Sequence, residues 1–337
     1  MSTDGTTADL TELSLDEALD TLTEMSNHNH LVPKKHRRQL KQSVTKIRNA
    51  AHHRDILTLR GAIDSSALLI ATAAGVEPGT LTQFTSDKSA DEIHQVRNTL
   101  AAVCAATAYA HQMDPDDLIG RLQEVCIRGQ KGRSLTDDEI LLLRLIVCRD
   151  IQVGGGRSIS AIRYLLIDSG LLPSESTVVA HQDFEFKADG SLGQMRPTSI
   201  NAPGVRSRAR ARSVRLDPFA RASLTPMLAE HLARHQHATT APVGYTGTRP
   251  AGGHCASASA STSLARLMKR ARLDANLKPL GITQWRIQKT FNKHGLEEAL
   301  RLSGKASDKT LGELINQTVS WEEPEPETSG GFLDDVA

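Results

Sequence analysis

Residues 281–291 read GITQWRIQKTF. Ile282, Trp285, Ile287 and Phe291 recur at helical spacing, so the stretch predicts a helix with one apolar face. Helices are also expected at about 217–235 and 261–274 before it, and at 296–303 and 308–318 after it. Between 261 and the helix ending near 235 lies ATTAPVGYTGTRPAGGHCASASAST (238–262), low in complexity and read as a mobile loop. Further upstream, DFEFKADGSLGQM (183–195) predicts a hairpin turning at Asp189-Gly190, and RSVRL (212–216) predicts a third strand.

Two helices precede the hairpin. Thr136-Asp-Asp-Glu139 is a capping-box pattern ahead of an apolar run to about residue 150, and SISAIRYLLIDS (158–169) is stopped by Gly170. QVGGGRS (152–158), between them, reads as a loop and lacks the Gly-Lys-Ser/Thr of a phosphate loop. The polar, glycine-bearing IRGQKGRS (127–134) marks a boundary. Before it, helices are expected at 13–25, 32–54, 56–75, 90–112, and from Asp114-Pro115 to about residue 127.

With 337 residues the chain has room for two domains, and with 3% aromatics it favours helices. No run of about 18 apolar residues predicts a membrane span. The acidic start MSTDGTTADLTELSLDEALD has neither the basic nor the apolar region of a signal peptide. Cys104, Cys126, Cys148 and Cys255 form no CxxC pair and are expected as reduced thiols of a cytoplasmic protein. His231, His235 and His237 make HxxxHxH; two histidines four apart share a helix face, but no further ligand set joins them, so we read a solvated helix end and expect no metal and no cofactor.

The net charge of +1 conceals a pattern. Residues 1–25 carry seven acids and 321–337 carry six, with no Lys or Arg in either. The other 26 acids face all 40 Lys and Arg, an excess of about 14 positive charges over residues 26–320. A basic body between acidic tails suits a polyanion.

Three stretches together resemble the tyrosine recombinases, the phage-integrase family. SGLLPSESTVVAHQDFEF (169–186) is similar to the family's first box, Gly-Leu-Arg-x-Ser-Glu followed by an Asp at the β element. Gly170, Leu171, Ser174, Glu175 and Asp183 fit, while Leu172 stands at the Arg. GITQWRIQKTF resembles Gly-Ile-Thr-Pro-His-Asp-Leu-Arg-Arg-Thr-Phe in length and frame, with Trp285 at the His and Gln288 at the catalytic Arg. LSGKASDKTLGEL (302–314) resembles Leu-Gly-His-Ser-Ser-x-x-Thr-Thr-x-x-Tyr, with Lys305 at the His and Leu314 at or near the nucleophile. GVRSRARARSVRL (204–216) resembles the β arm that normally bears a catalytic Lys.

The resemblance implies a mainly α fold with a small antiparallel β element (α+β). A helical core-binding-like domain (26–128) and a linker (129–134) would precede a tyrosine-recombinase-like catalytic domain (135–320). The acidic segments 1–25 and 321–337 are expected to be tails. The family's chemistry needs a tyrosine to attack a DNA phosphate and arginines to hold its oxygens as charge shifts. Leu and Gln supply no such charge, and each missing donor costs about 10²–10³ in rate. The resemblance therefore implies a degenerate relative that binds double-stranded DNA without cutting it. Its expected partners are an active recombinase of the same mobile element or a second copy met through 308–318, with no membrane, at the nucleoid. Two alternatives stay open: an active enzyme using a displaced Tyr245, or a protein scaffold that does not touch DNA. Tyr109 and Tyr164 sit in apolar helical runs and read as core.

Candidate DNA contacts are Lys34, Lys35, Arg37, Arg38, Lys41 and Arg48 on the basic helix. Arg206, Arg208, Arg210 and Arg212 alternate to one side of the arm, and Lys269 and Arg270 end another helix.

Overall fold

The computed structural model describes residues 13–28, 31–32, 34–81, 88–125, 133–197, 212–236 and 238–315. Among these it is mostly helical with one three-stranded antiparallel sheet. No helix among them is long and apolar enough to cross a membrane.

The first unit contains α1 (Leu15–His28), α2 (Lys34–His53), α3 (Leu59–Asp64), α4 (Ser66–Ala74), α5 (Lys88–Ala110) and α6 (Pro115–Ile119). Leu15, Ala18, Leu19 and Leu22 bury one face of α1, while Asp16 and Asp20 on the other hold Arg48 of α2. The helix expected at 13–25 thus forms as α1, and its apolar stripe packs the acidic segment, expected as a tail through residue 25, into the first unit from Leu15. The apolar run 56–75 is two helices rather than one, parted at Ser65, whose backbone leaves helical geometry. Asp114 caps α6 through the Asp116 amide, and Pro115 sits in its first turn. That helix stops at Ile119, well short of residue 127.

The second unit contains α7 (Asp137–Val153), α8 (Gly156–Asp168), strands β1 (Phe184–Phe186), β2 (Leu192–Met195) and β3 (Val214–Arg215), then α9 (Pro218–Arg234), α10 (His254–Arg270), α11 (Leu280–Ser303) and α12 (Asp308–Ile315). The capping box at Thr136 and Glu139 is present. The expected loop at 152–158 shrinks to Gly154-Gly155, both at positive φ (72° and 61°), a conformation glycine adopts without steric cost. Strand order is β1-β2-β3, with Phe184 opposite Met195 and Met195 opposite Val214. The helices expected at 283–294 and 296–303 form one element bent at Gly295 (φ 81°).

The stretch 238–262 departs from its expectation as a mobile loop. Residues 254–262 are the first half of α10, where Ala256, Ala260, Leu264 and Leu267 form the buried stripe. Residues before it are tied down: the Val243 amide donates to the Val179 carbonyl at 2.8 Å, and the Gly252 amide to Thr177 Oγ1 at 3.2 Å. A Cβ on Gly244 would meet the Ser176 carbonyl oxygen at 2.1 Å, so only glycine fits there.

α7 lies at the centre, against both α5 and α8. Residues 139–147 are all buried. Among them is Arg144, which donates to Asp168 Oδ2 (2.9 Å), Asp217 Oδ2 (2.6 Å) and the Leu31 carbonyl (2.8 Å), and so joins the two units. Burial pushes the Asp168 carboxyl up despite this neighbour, while Arg144 and Arg286 overcome burial at Asp217 and hold it down. Cys104 is buried, Cys148 half-buried and Cys255 exposed, and all three are free thiols; Cys126 lies outside the described residues.

Candidate functional site

The three motif stretches meet. Thr283 Oγ1 donates to the Leu171 carbonyl at 2.6 Å, joining the second stretch to the first. Gln284 Nε2 donates to the Leu314 carbonyl at 2.7 Å, joining the second to the third. Gly170, at φ 106°, lies so close to Leu302 that a Cβ there would stand 3.0 Å from its side chain. At the head of α11, Gly281 accepts from the Leu135 amide at 3.2 Å, and a Cβ on it would lie 2.7 Å from Leu135 Cδ1.

What occupies this meeting point is turned toward the chain itself. Trp285 is 5% exposed, donates from Nε1 to Asp137 Oδ1 at 2.7 Å, and lies under the Arg144 guanidinium, 5.5 Å from the ring centroid. Lys289 Nζ reaches Asp137 Oδ2 at 2.5 Å, and the buried His36 of α2 lies 3.2 Å from the same oxygen. Burial opposes ionisation of Asp137, but hydrogen bonds from His36, Lys289 and Trp285 outweigh it and hold the carboxyl well below its usual range. Gln288 Oε1 accepts from Ser134 Oγ at 2.8 Å. Lys305 and Leu314 are half-buried. Leu172 is half-buried, and its amide donates to Glu175 Oε2 at 2.8 Å.

Glu175 is fully buried and takes both Arg212 terminal nitrogens, at 2.6 and 3.1 Å, while Arg212 Nε donates to the Leu302 carbonyl at 2.7 Å. Arg212, expected to face DNA from the arm, instead points inward: it is 8% exposed and pairs with the buried Glu175 carboxylate. Arg206, Arg208 and Arg210 lie outside the described residues.

The other expected contacts divide. Arg38 and Lys41 are exposed on α2 and carry no ion pair among the described residues; Lys269 is exposed on α10. Arg37 is half-buried. Arg48 is claimed by Asp16 and Asp20. Arg270, also expected to face DNA, is taken by Asp116 (2.8 Å) and Asp150 (2.7 Å), because α10 ends against α6 and α7. The backbone of Lys34 and Lys35 belongs to α2. His231 is buried with its ring 4.3 Å from that of His235, so the helix end expected to be solvated is partly enclosed; His237 lies outside the described residues. Tyr164 is fully buried, and Tyr109 and Tyr245 are half-buried.

Sequence reading missed His36, Asp137 and Arg144. The capping box identified the turn that holds Asp137, but its partners are about a hundred or more residues away, and no spacing rule reaches that far.

No protein-family model matches the chain, and no curated protein does. Among solved structures, XerA recombinase matches over 89% of this chain and 93% of its own at 12% identity, with a TM-score of 0.39. A lambda integrase dimer bound to a COC' core site matches over 90% of this chain and 77% of its own at 14% identity, with a TM-score of 0.35. A lambda integrase tetramer bound to a Holliday junction matches over 91% and 82% at 13% identity, with a TM-score of 0.34.

Proposed function

We propose that the chain binds duplex DNA as an architectural or regulatory component of recombination or integration in a mobile element, and that it cuts no strand at the positions where tyrosine recombinases do. The observation that carries this reading is that hydrogen bonds join three stretches scattered over residues 169–314; by the resemblance, Leu172, Trp285, Gln288, Lys305 and Leu314 stand at their reactive positions. The frame persists without its chemistry. DNA contact is assigned to Lys34, Lys35, Arg38 and Lys41 of α2, to Arg206, Arg208 and Arg210, and to Lys269. An active recombinase from the same element, or a second copy docking through α12, would complete the assembly.

The test is fluorescence anisotropy with labelled duplex at several salt concentrations. The logarithm of the binding constant should fall with log salt by about 0.9 per phosphate neutralised. Replacing Arg38 and Lys41 by Ala should lower that slope by about one unit for each cation removed from a phosphate. No binding at low salt would overturn the DNA reading. A covalent protein–DNA product on a nicked substrate, abolished by Tyr245→Phe, would overturn the claim that no strand is cut.

A further inference from the structure

Four arginines among the described residues are less than a tenth exposed: Arg97, Arg144, Arg163 and Arg212. Arg144 and Arg212 each meet a carboxylate. Arg97 and Arg163 have no ion pair there. A buried cation without a counter-ion is costly, because neither water nor an opposite charge replaces its former hydration. Of these two, Arg163 lines a cavity of about 640 Å³, within the size range of small-ligand sites.

Arg163 is 5% exposed and donates from Nε to the Gly244 carbonyl at 2.6 Å and from Nη1 to the Ser259 carbonyl at 3.3 Å. These two carbonyls orient the guanidinium without cancelling its charge. Arg157, Arg266 and Arg270 line the same cavity. Two acids also line it, Asp116 and Asp150, and both are occupied: Arg270 bonds to each, and Arg157 lies 3.6 Å from Asp150. Arg163 and Arg266 are left uncompensated among the described residues. The wall opposite is the α10 face bearing Ser259, Thr262 and Ser263, at helical spacing with Arg266. The start of α8 borders the cavity at Gly156, and its N-cap, Gly155, offers no side-chain acceptor. The first amides of that helix therefore add positive potential at the rim.

We propose that this cavity is an oxyanion site that takes a phosphate group, with Arg163 as the buried donor, Arg266 as the closing cation and the α10 hydroxyls as neutral donors. Planar guanidinium forks match phosphate oxygens in pairs, and hydroxyls complete the remaining lone pairs. The site lies on α8 and α10, apart from the meeting point of the motifs. The phosphate belongs either to a small phosphorylated molecule or to a nucleic-acid backbone. The proposal does not depend on the DNA reading above.

The test uses the full chain with sodium pyrophosphate, against sodium chloride at matched ionic strength. Pyrophosphate at up to about 10 mM should raise the melting temperature, because a ligand that binds only the folded state stabilises it. Arg266→Ala, which breaks no ion pair among the described residues, should need about tenfold more pyrophosphate for the same shift, the scale of one charge-assisted hydrogen bond. Lys293→Ala, which removes an exposed cation of α11, should respond as the wild type does. Arg163→Gln should abolish the shift as well if it folds, and Arg266→Ala keeps the test decisive if it does not. That pattern assigns the site to a small ligand. If pyrophosphate is silent but Arg266→Ala weakens duplex binding about tenfold and Lys293→Ala does not, the phosphate is one of a backbone. The proposal falls if pyrophosphate and duplex both leave Arg266→Ala indistinguishable from wild type, or if Lys293→Ala weakens the pyrophosphate shift equally.

Discussion

At the scale of single residues, the replaced positions act as structural groups. Trp285 fills volume between Arg144 and Asp137 and satisfies one oxygen of a carboxylate. Trp285→Ala should lower unfolding free energy by about 3–5 kcal/mol, the usual cost of emptying a buried aromatic site. Trp285→Phe, which keeps the ring and drops the indole donor, should cost about 1–3 kcal/mol. Urea denaturation distinguishes the two; equal losses would refute a separate role for the hydrogen bond to Asp137. Arg212 and Glu175 provide a second case, since both are buried and joined by two hydrogen bonds. Arg212→Met should cost about 3–5 kcal/mol, because it removes the cation and both charge-assisted hydrogen bonds from a buried carboxylate. The double variant with Glu175→Gln should recover part of that loss, and strictly additive losses would contradict the pairing. Neither role was readable in the sequence. The resemblance assigned Glu175 by frame, and alternation along the arm put Arg212 on the outer side, whereas burial of one carboxylate turned it inward.

At the scale of elements, helix ends were the most legible feature, because their signals are local. Thr136 with Glu139 and Asp114 with Pro115 each placed a start correctly through a cap whose partner lies within three residues. The first half of α10 escaped notice because Ala256 and Ala260 are its only buried apolar positions there, and an Ala/Ser/Thr run looks alike in a helix or a loop. Close approach between elements was equally silent. Gly281→Ala sets a methyl against Leu135 and the Arg133 carbonyl, so it should destabilise by about 1–3 kcal/mol despite better helix propensity. A neutral or stabilising result in a thermal melt would mean that the two elements can part at little cost. The first turn of α7 also predicts a pH response. Burial opposes ionisation of Glu139, but hydrogen bonds from Arg133 and His94 prevail and hold its carboxyl at about 2, against an ordinary 4.5. A depressed carboxyl stabilises the fold fully above its unfolded value and loses that contribution as pH falls toward the folded one. Glu139→Gln should therefore cost on the order of 3 kcal/mol near pH 5.5 and much less near pH 2.5. A difference that stays constant across that interval would show that the carboxylate is not held by these partners.

At the scale of the whole molecule, the first turn of α7 spans both units. Asp137 meets His36 of α2 on one side and Trp285 and Lys289 of α11 on the other. Asp138 takes Asn98 of α5 at 2.6 Å, and Glu139 takes His94 of α5 at 2.8 Å together with Arg133. Three consecutive side chains thus hold separate elements, and none of those links can loosen without disturbing a neighbour. The consequence concerns time rather than strength. Amide hydrogens at the start of α2, in the middle of α5 and in the first turn of α11 should exchange with solvent deuterium together, as one cooperative opening unit. Asp137→Asn should raise all three exchange rates by a common factor while leaving those of β1 and β2 where they were.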